Sequence, residues 1–150
     1  MTNKRYITQE EIKHSCLDIV QQMYKDDWRP DFIVGVTRGG LWPAMMLSHY
    51  LGIKMYTLDV RMRDGDEKEH CEWLIDEATC GTNILIIDDI NDTGETFSWI
   101  RNDWGVLDNN LRFAALVDNL PSQFELDYSS IEINKTENPE WIVFPYEEWW

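Results

Sequence analysis

Two short stretches carry most of the side chains that could do chemistry. One is Val36-Thr37-Arg38-Gly39-Gly40, and the other runs from Ile84 to Thr96. In the second, four aliphatic residues, Ile84-Leu85-Ile86-Ile87, lead into a pair of carboxylates, Asp88 and Asp89. A third acid follows at Asp92, then Thr93-Gly94-Glu95-Thr96. If Gly94 opens a helix, its first turn offers unpaired amides and the positive end of the helix dipole, which together suit a phosphate. Gly94 lets the backbone approach closely, and Thr93 and Thr96 add hydroxyl donors. The carboxylates cannot hold phosphate. They suit a diol, a divalent cation or a positive charge that develops during a reaction. One phosphate beside one diol or cation describes a sugar phosphate. Two other readings compete: a solvated strand-to-helix turn capped by Thr93, and an aspartyl phosphohydrolase. The latter usually needs Asp-x-Asp, because alternate residues of a strand share a face, and here the acids are adjacent.

The elements that must position these residues are legible from periodicity. Thr8 with Glu10 and Glu11 reads as a helix start, and Ile12, Cys16, Ile19, Val20 and Met23 follow at helical spacing. Phe32 to Val36 reads as a buried strand, Leu41 to Leu51 as a helix with Pro43 in its first turn and Gly52 as its stop, and Lys54 to Arg61 as a second strand. Asn83 to Asp88 is the strongest strand signal. Gly94 to Trp104 reads as a helix and Leu111 to Val117 as a strand. Strands that are continuous apolar runs, alternating with helices, imply an α/β fold with a parallel sheet flanked by helices. In such sheets ligands sit beyond the carboxyl ends of the strands, where both reactive stretches fall. Within the stretch Arg63 to Thr82, the run Asp64 to Glu69 is charged and shows no apolar period, and it reads as a mobile surface excursion. The tail from Asp118 onward carries strand candidates at Ser130 to Asn134 and Trp141 to Phe144 and reads as a small cap on the sheet.

The chain has 150 residues, enough for one domain with a real core. Its 13 Lys and Arg against 28 Asp and Glu give a net charge of −15. That excess opposes nucleic acid and anionic membrane surfaces, which need clustered cations. No apolar run approaches the ~18 residues of a membrane span, and the N-terminal residues do not read as a signal peptide. Three widely spaced cysteines, Cys16, Cys71 and Cys80, form no disulfide framework and point to a reducing, cytoplasmic setting. His70, Cys71 and Cys80 lack the spacing of a metal site.

Ile84 to Thr96 resembles the phosphoribosyl-pyrophosphate signature of the type I phosphoribosyltransferases. Val36 to Gly40 is similar to that family's pyrophosphate loop. Trp141-Ile142-Val143-Phe144-Pro145-Tyr146-Glu147 is similar to the C-terminal base-binding segment of its purine salvage branch, the xanthine–guanine and hypoxanthine type. The resemblance spans about residues 8 to 150 and implies a single domain over 1–150. Its core would cover about 8–117, a C-terminal hood about 118–150 and a flexible loop about 63–82.

The resemblance also implies an activity: Mg²⁺-dependent transfer of ribose 5-phosphate from phosphoribosyl pyrophosphate to a purine base, releasing pyrophosphate. By resemblance, Asp88 and Asp89 hold the ribose hydroxyls, directly or through Mg²⁺. Asp92 accepts a proton from the purine ring nitrogen. The amides from Thr93 through Gly94 and Glu95 to Thr96 take the 5-phosphate. Thr37, Arg38, Gly39 and Gly40 take pyrophosphate, with the Thr37–Arg38 peptide often cis in the family. Trp141 stacks on the purine, with Ile142 beside it. The family also implies a homodimer or homotetramer. Two alternatives stay open: a non-catalytic phosphoribosyl-pyrophosphate-binding regulator on the same fold, and a transferase for another base such as a pyrimidine.

One departure bears on the base. Relatives carry a Lys after the strand corresponding to Leu111 to Val117, donating to the oxygen of a 6-oxopurine. Here that place reads Val117-Asp118-Asn119, and the next Lys is Lys135. Either Asp118 faces an exocyclic amino group and weakens the preference for 6-oxopurines, or Asp118 points to solvent and Lys135 or a backbone amide supplies the donor.

Overall fold

The computed structural model describes residues 3–60 and 68–149. Its first strand, β1 (Asn3–Tyr6), leads into α1 (Gln9–Lys25). The helix begins where sequence places it. Thr8 Oγ1 accepts from the Glu11 amide at 3.1 Å, and the Glu11 carboxylate accepts from the Thr8 amide at 2.8 Å. This reciprocal cap satisfies two amides that have no carbonyl partner in the first turn. Then come β2 (Phe32–Thr37), α2 (Leu41–Leu51) and β3 (Met55–Asp59). Gly52 ends α2 in the left-handed region, at φ 67°. Next are α3 (Glu72–Thr79), β4 (Ile84–Asn91), α4 (Glu95–Trp104), β5 (Leu111–Asn119), β6 (Tyr128–Ile133) and β7 (Glu140–Val143). A short 3₁₀ turn follows at Pro145–Glu147.

Five strands form one parallel sheet in the order β3-β2-β4-β5-β6. Its strands are apolar on both faces because both are covered. Within β4, Leu85 and Ile87 pack with α1 and α2, while Ile84 and Ile86 pack with α3 and α4, the two-residue alternation of an extended chain. The order reverses between β2 and β4: the chain leaves β2 toward β3 on one side, and β4 toward β5 on the other. A crevice opens at the carboxyl ends of two strands at such a switch point, and the reactive stretches flank it.

Two expectations change. The tail is not all hood. β6 joins the main sheet, pairing Ala115 with Ser129 and Val117 with Ile131, because Tyr128 and Ile133 belong to the α1-side core. The remaining small layer is a second parallel pair, β1 with β7, in register from Asn3 with Glu140 to Tyr6 with Val143. Ile7, Ile142 and Phe144 anchor it to the core. Nor is the described part of the 63–82 excursion, residues 68–82, without structure. It forms α3, with Leu74 and Ala78 buried and Cys71 and Ile75 packed against the same core. Residues 63–67 lie outside the described residues.

Candidate functional site

The β2 end is shaped by glycines. A Cβ on Gly40 would lie 2.3 Å from the Ile87 carbonyl oxygen and 2.7 Å from the Val36 backbone. Only a residue without one lets the loop press onto both strands. Gly39 lies against Asp89: its Cβ would sit 2.1 Å from Asp89 Oδ2. The Thr37–Arg38 peptide is cis, Thr37 Oγ1 donates to Asp59 at 3.1 Å, and Arg38 is exposed.

β4 runs on through the acids to Asn91. Asp88 Oδ1 accepts from the Asp89 amide at 2.8 Å, and Asp89 Oδ1 from the Ile90 amide at 2.7 Å. Burial, then repulsion from Asp89, pushes the Asp88 carboxyl well above the usual carboxylate range. Burial raises Asp89 as well, while the hydrogen bond from Tyr146 pulls it back. Two crowded carboxylates of this kind are relieved by a cation or by hydroxyl donors.

Among the described residues no group of three or more His, Cys, Asp or Glu could hold a metal. The pair does fit Mg²⁺, which typically takes one or two carboxylates and fills its remaining positions with water and substrate phosphate oxygens. Asp88 and Asp89 would hold it.

The phosphate end follows. Gly94 takes φ 89° and its Cβ would lie 2.6 Å from Ser122 Oγ, so the turn is wedged against the loop after β5. The Gln123 amide donates to the Thr93 carbonyl at 3.0 Å. The Glu95 amide donates to Thr93 Oγ1 at 3.3 Å. Thr93 and Glu95 are exposed and Thr96 is half-buried at the start of α4, a first turn whose amides have no carbonyl partner within the helix.

Asp92 is gripped from two other elements. Asn119 Nδ2 donates to its carbonyl at 3.0 Å and reaches Oδ1 at 3.4 Å. Lys135 Nζ donates to Oδ2 at 3.0 Å. Asn119 also accepts from the Lys135 amide at 3.0 Å, which ties the turn after β6 to the end of β5. Lys135 Nζ lies 5.6 Å from the centre of the Trp141 ring, and that ring is 43% exposed. The structure therefore brings Asp92, Lys135 and Trp141 together. Ile142 is the site residue it does not deliver by side chain: that side chain is buried in the core with Phe144, because neighbouring residues of β7 face opposite ways. Asp118 is engaged by Asn91, whose Nδ2 donates to it at 2.9 Å.

Tyr146 was not singled out by its sequence context. Its hydroxyl donates to Asp89 Oδ2 at 2.6 Å and lies 3.3 Å from the Gly39 carbonyl. It thus clamps the hood onto the acid pair and the glycine loop. Its hydroxyl is buried beside Asp89, which raises its pKa and keeps it a donor. Tyr146→Phe is expected to lower stability by about 1–3 kcal/mol, as for loss of a hydrogen bond to a charged group. Urea unfolding at neutral pH measures it, and a loss below ~0.5 kcal/mol would show the bond to be inert.

A family model described as the phosphoribosyl transferase domain matches residues 3–148. The chain belongs to this family. It is 32% identical over 103 residues to the xanthine-guanine phosphoribosyltransferase of Vibrio vulnificus, covering 67% of this chain and 66% of that protein. The match thus spans slightly less than two thirds of that relative. It is 30% identical over 129 residues to the xanthine-guanine phosphoribosyltransferase of Cereibacter sphaeroides, covering 80% and 70%. The crystal structure of a purine phosphoribosyltransferase from Pyrococcus horikoshii superimposes with a TM-score of 0.75 at 27% identity, over 97% of this chain and 95% of that one. The phosphoribosyltransferase fold accounts for the parallel sheet and for both loops at its switch point. Among the described residues no helix is long and apolar enough to cross a membrane.

Proposed function

We propose that this protein is a Mg²⁺-dependent purine phosphoribosyltransferase. It transfers ribose 5-phosphate from phosphoribosyl pyrophosphate to a base of the hypoxanthine, guanine or xanthine type and releases pyrophosphate. The observation that carries the reading is the arrangement around one crevice. Gly39 lies against Asp89, Gly94 opens α4 just after the acids, and Lys135 pairs with Asp92 and lies over the partly exposed Trp141 ring, supporting one shared site at these strand ends.

The residues divide the work by chemistry. The amides of Thr93 to Thr96 take the 5-phosphate, and Arg38 with the amides of Gly39 and Gly40 takes pyrophosphate. Mg²⁺ held at Asp88 and Asp89 would offset charge on the leaving group. The anomeric C–O bond breaks with its electron pair on pyrophosphate, and positive charge spreads over the ribose ring. Fixed carboxylates at Asp88 and Asp89 favour that charge more in the transition state than in the ground state. The purine nitrogen forms the new bond to the anomeric carbon, and its displaced ring proton goes to Asp92. Trp141 offers a face for stacking the base. The reading carries with it a cytoplasmic setting, in keeping with the free thiols of Cys16, Cys71 and Cys80, and a homodimer or homotetramer.

The test is a turnover screen with phosphoribosyl pyrophosphate, Mg²⁺ and a panel of purines and pyrimidines, paired with calorimetric titration of phosphoribosyl pyrophosphate with and without Mg²⁺. Purine nucleotide and pyrophosphate should form together, and affinity should rise with Mg²⁺. Binding without turnover of any base would replace the enzyme with a regulator. Turnover of pyrimidines alone would overturn the base, and equal affinity without Mg²⁺ would overturn the metal.

A further inference from the structure

We propose that Tyr146 is a positioning residue for the sugar: its hydroxyl fixes the Asp89 carboxylate so that the site takes a ribose in preference to a 2-deoxyribose. The inference rests on the reading that Asp88 and Asp89 hold the ribose hydroxyls, and it names the residue on which that grip depends.

Three observations carry it. First, the contact is charge-assisted: Tyr146 donates to Asp89 Oδ2 at 2.6 Å, the length expected of a hydroxyl on a carboxylate. The Gly39 carbonyl lies farther, at 3.3 Å. A phenol has a single hydrogen, and the nearer, charged acceptor takes it. Second, the donor is itself held. The Tyr146 ring stacks on Phe144 with 5.6 Å between centres and 3° between planes, and it meets Trp42 on the first turn of α2 at 5.7 Å. Phe144 is buried in the α1-side core. The hydroxyl therefore reaches Asp89 from a braced ring and not from a swinging surface side chain. Third, Tyr146 supplies one of the bonds that orient the carboxylate. The Ile90 amide holds Oδ1 at 2.7 Å, Tyr146 holds Oδ2, and Gly39 closes one flank.

A carboxylate offers about four acceptor positions, shared equally by its oxygens. The Ile90 amide and Tyr146 fill one on each oxygen, and the other on each is left in a set direction. Hydroxyls on neighbouring ring carbons are donors at a set spacing. An acceptor oriented beforehand receives them without losing rotamer freedom on binding. A sugar that lacks the 2-hydroxyl brings one donor fewer and leaves part of a half-buried acid unpaired. Without the tyrosine hydroxyl, Oδ2 loses its anchor and the carboxylate can turn to meet either sugar. The gain from the second hydroxyl then shrinks. The hood thus sets the sugar preference of an acid pair that lies in another part of the chain.

The experiment measures binding of ribose 5-phosphate and 2-deoxyribose 5-phosphate by calorimetric titration at one fixed Mg²⁺ concentration, in the parent and in Tyr146→Phe. The parent should favour the ribose by roughly 10–100-fold, the size of one hydrogen bond to a charged group. Tyr146→Phe keeps the ring against Phe144 and Trp42 and removes only the hydroxyl. It should bring the ratio within about threefold of unity, chiefly by weakening ribose 5-phosphate. The ratio is the discriminating readout, because a merely structural loss would weaken both sugars alike and leave it unchanged. A Tyr146→Phe protein that keeps the parent's ratio overturns the inference while the acid-pair reading stands. A parent that does not favour ribose 5-phosphate overturns both. Should Tyr146→Phe fail to fold, Trp42→Leu decides. It removes a brace of the ring and leaves the hydroxyl, and it should lower the ratio at least ~3-fold; the parent's ratio there overturns the inference. No turnover is involved. A Tyr146-dependent ratio in a protein that converts no base would therefore sustain the inference while the transferase reading fails.

Discussion

Asp92→Asn is expected to lower kcat by roughly 10²–10⁴-fold, the usual size of a general acid–base contribution. Affinity for phosphoribosyl pyrophosphate should stay close to the parent's. The substitution keeps size and shape but removes the acceptor that would take the purine's proton. The geometry favours a clean result. Asn119 still finds the residue's carbonyl at 3.0 Å, and an amide oxygen can accept from Lys135 as Oδ2 does at 3.0 Å. The backbone at the mouth of α4 should not move. Pre-steady-state mixing separates chemistry from release: a chemical step within a few-fold of the parent would make Asp92 a structural residue and not a base.

The other large effect is expected at Gly39. Gly39→Ala would place a methyl group 2.1 Å from Asp89 Oδ2 and 2.3 Å from its Cγ, far inside contact distance. The carboxylate cannot yield easily. The Ile90 amide holds one oxygen at 2.7 Å and Tyr146 the other at 2.6 Å. Either the acid turns away from the crevice or the loop lifts off it. Both outcomes separate the groups assigned to the ribose and to pyrophosphate, so affinity for phosphoribosyl pyrophosphate should fall at least ~100-fold, with a stability loss of about 1–3 kcal/mol for the overpacking. Calorimetric titration and thermal unfolding read the two parts. Affinity within threefold of the parent would show that the close approach of loop and acid is dispensable.

Most of the sheet was legible because its strands are long apolar runs and its helices carry their own punctuation, from the Thr8 cap to the left-handed Gly52. What was missed has physical causes. β1 is four residues with no apolar alternation, and it exists because β7 pairs with it from the other end of the chain. α3 is short and sits beside a charged run. Its signal was present, since Cys71, Leu74, Ile75 and Ala78 recur at helical spacing, but two buried side chains are a weak stripe. β5 and β4 run past their apolar cores because the ladder Asn91 to Asp118 continues the sheet through polar residues, and patterning does not register polar strand ends.

The candidate site divides along the same line. The acid pair, Asp92 and the Thr93-Gly94-Glu95-Thr96 turn are local: they lie within nine consecutive residues, and the strand-to-helix turn alone keeps them at one end of the sheet. The glycine loop was legible as a loop, but its contact with Asp89 comes from the placing of β2 beside β4. The two other partners are wholly tertiary. Tyr146 lies 57 residues from the carboxylate it holds, and Lys135 lies 43 residues from Asp92. Sequence spacing carries no distance information across such separations. Parallel pairing of β4, β5 and β6 stacks their carboxyl ends side by side. That register, and not any motif, sets a lysine from the end of one strand against an aspartate from the end of another.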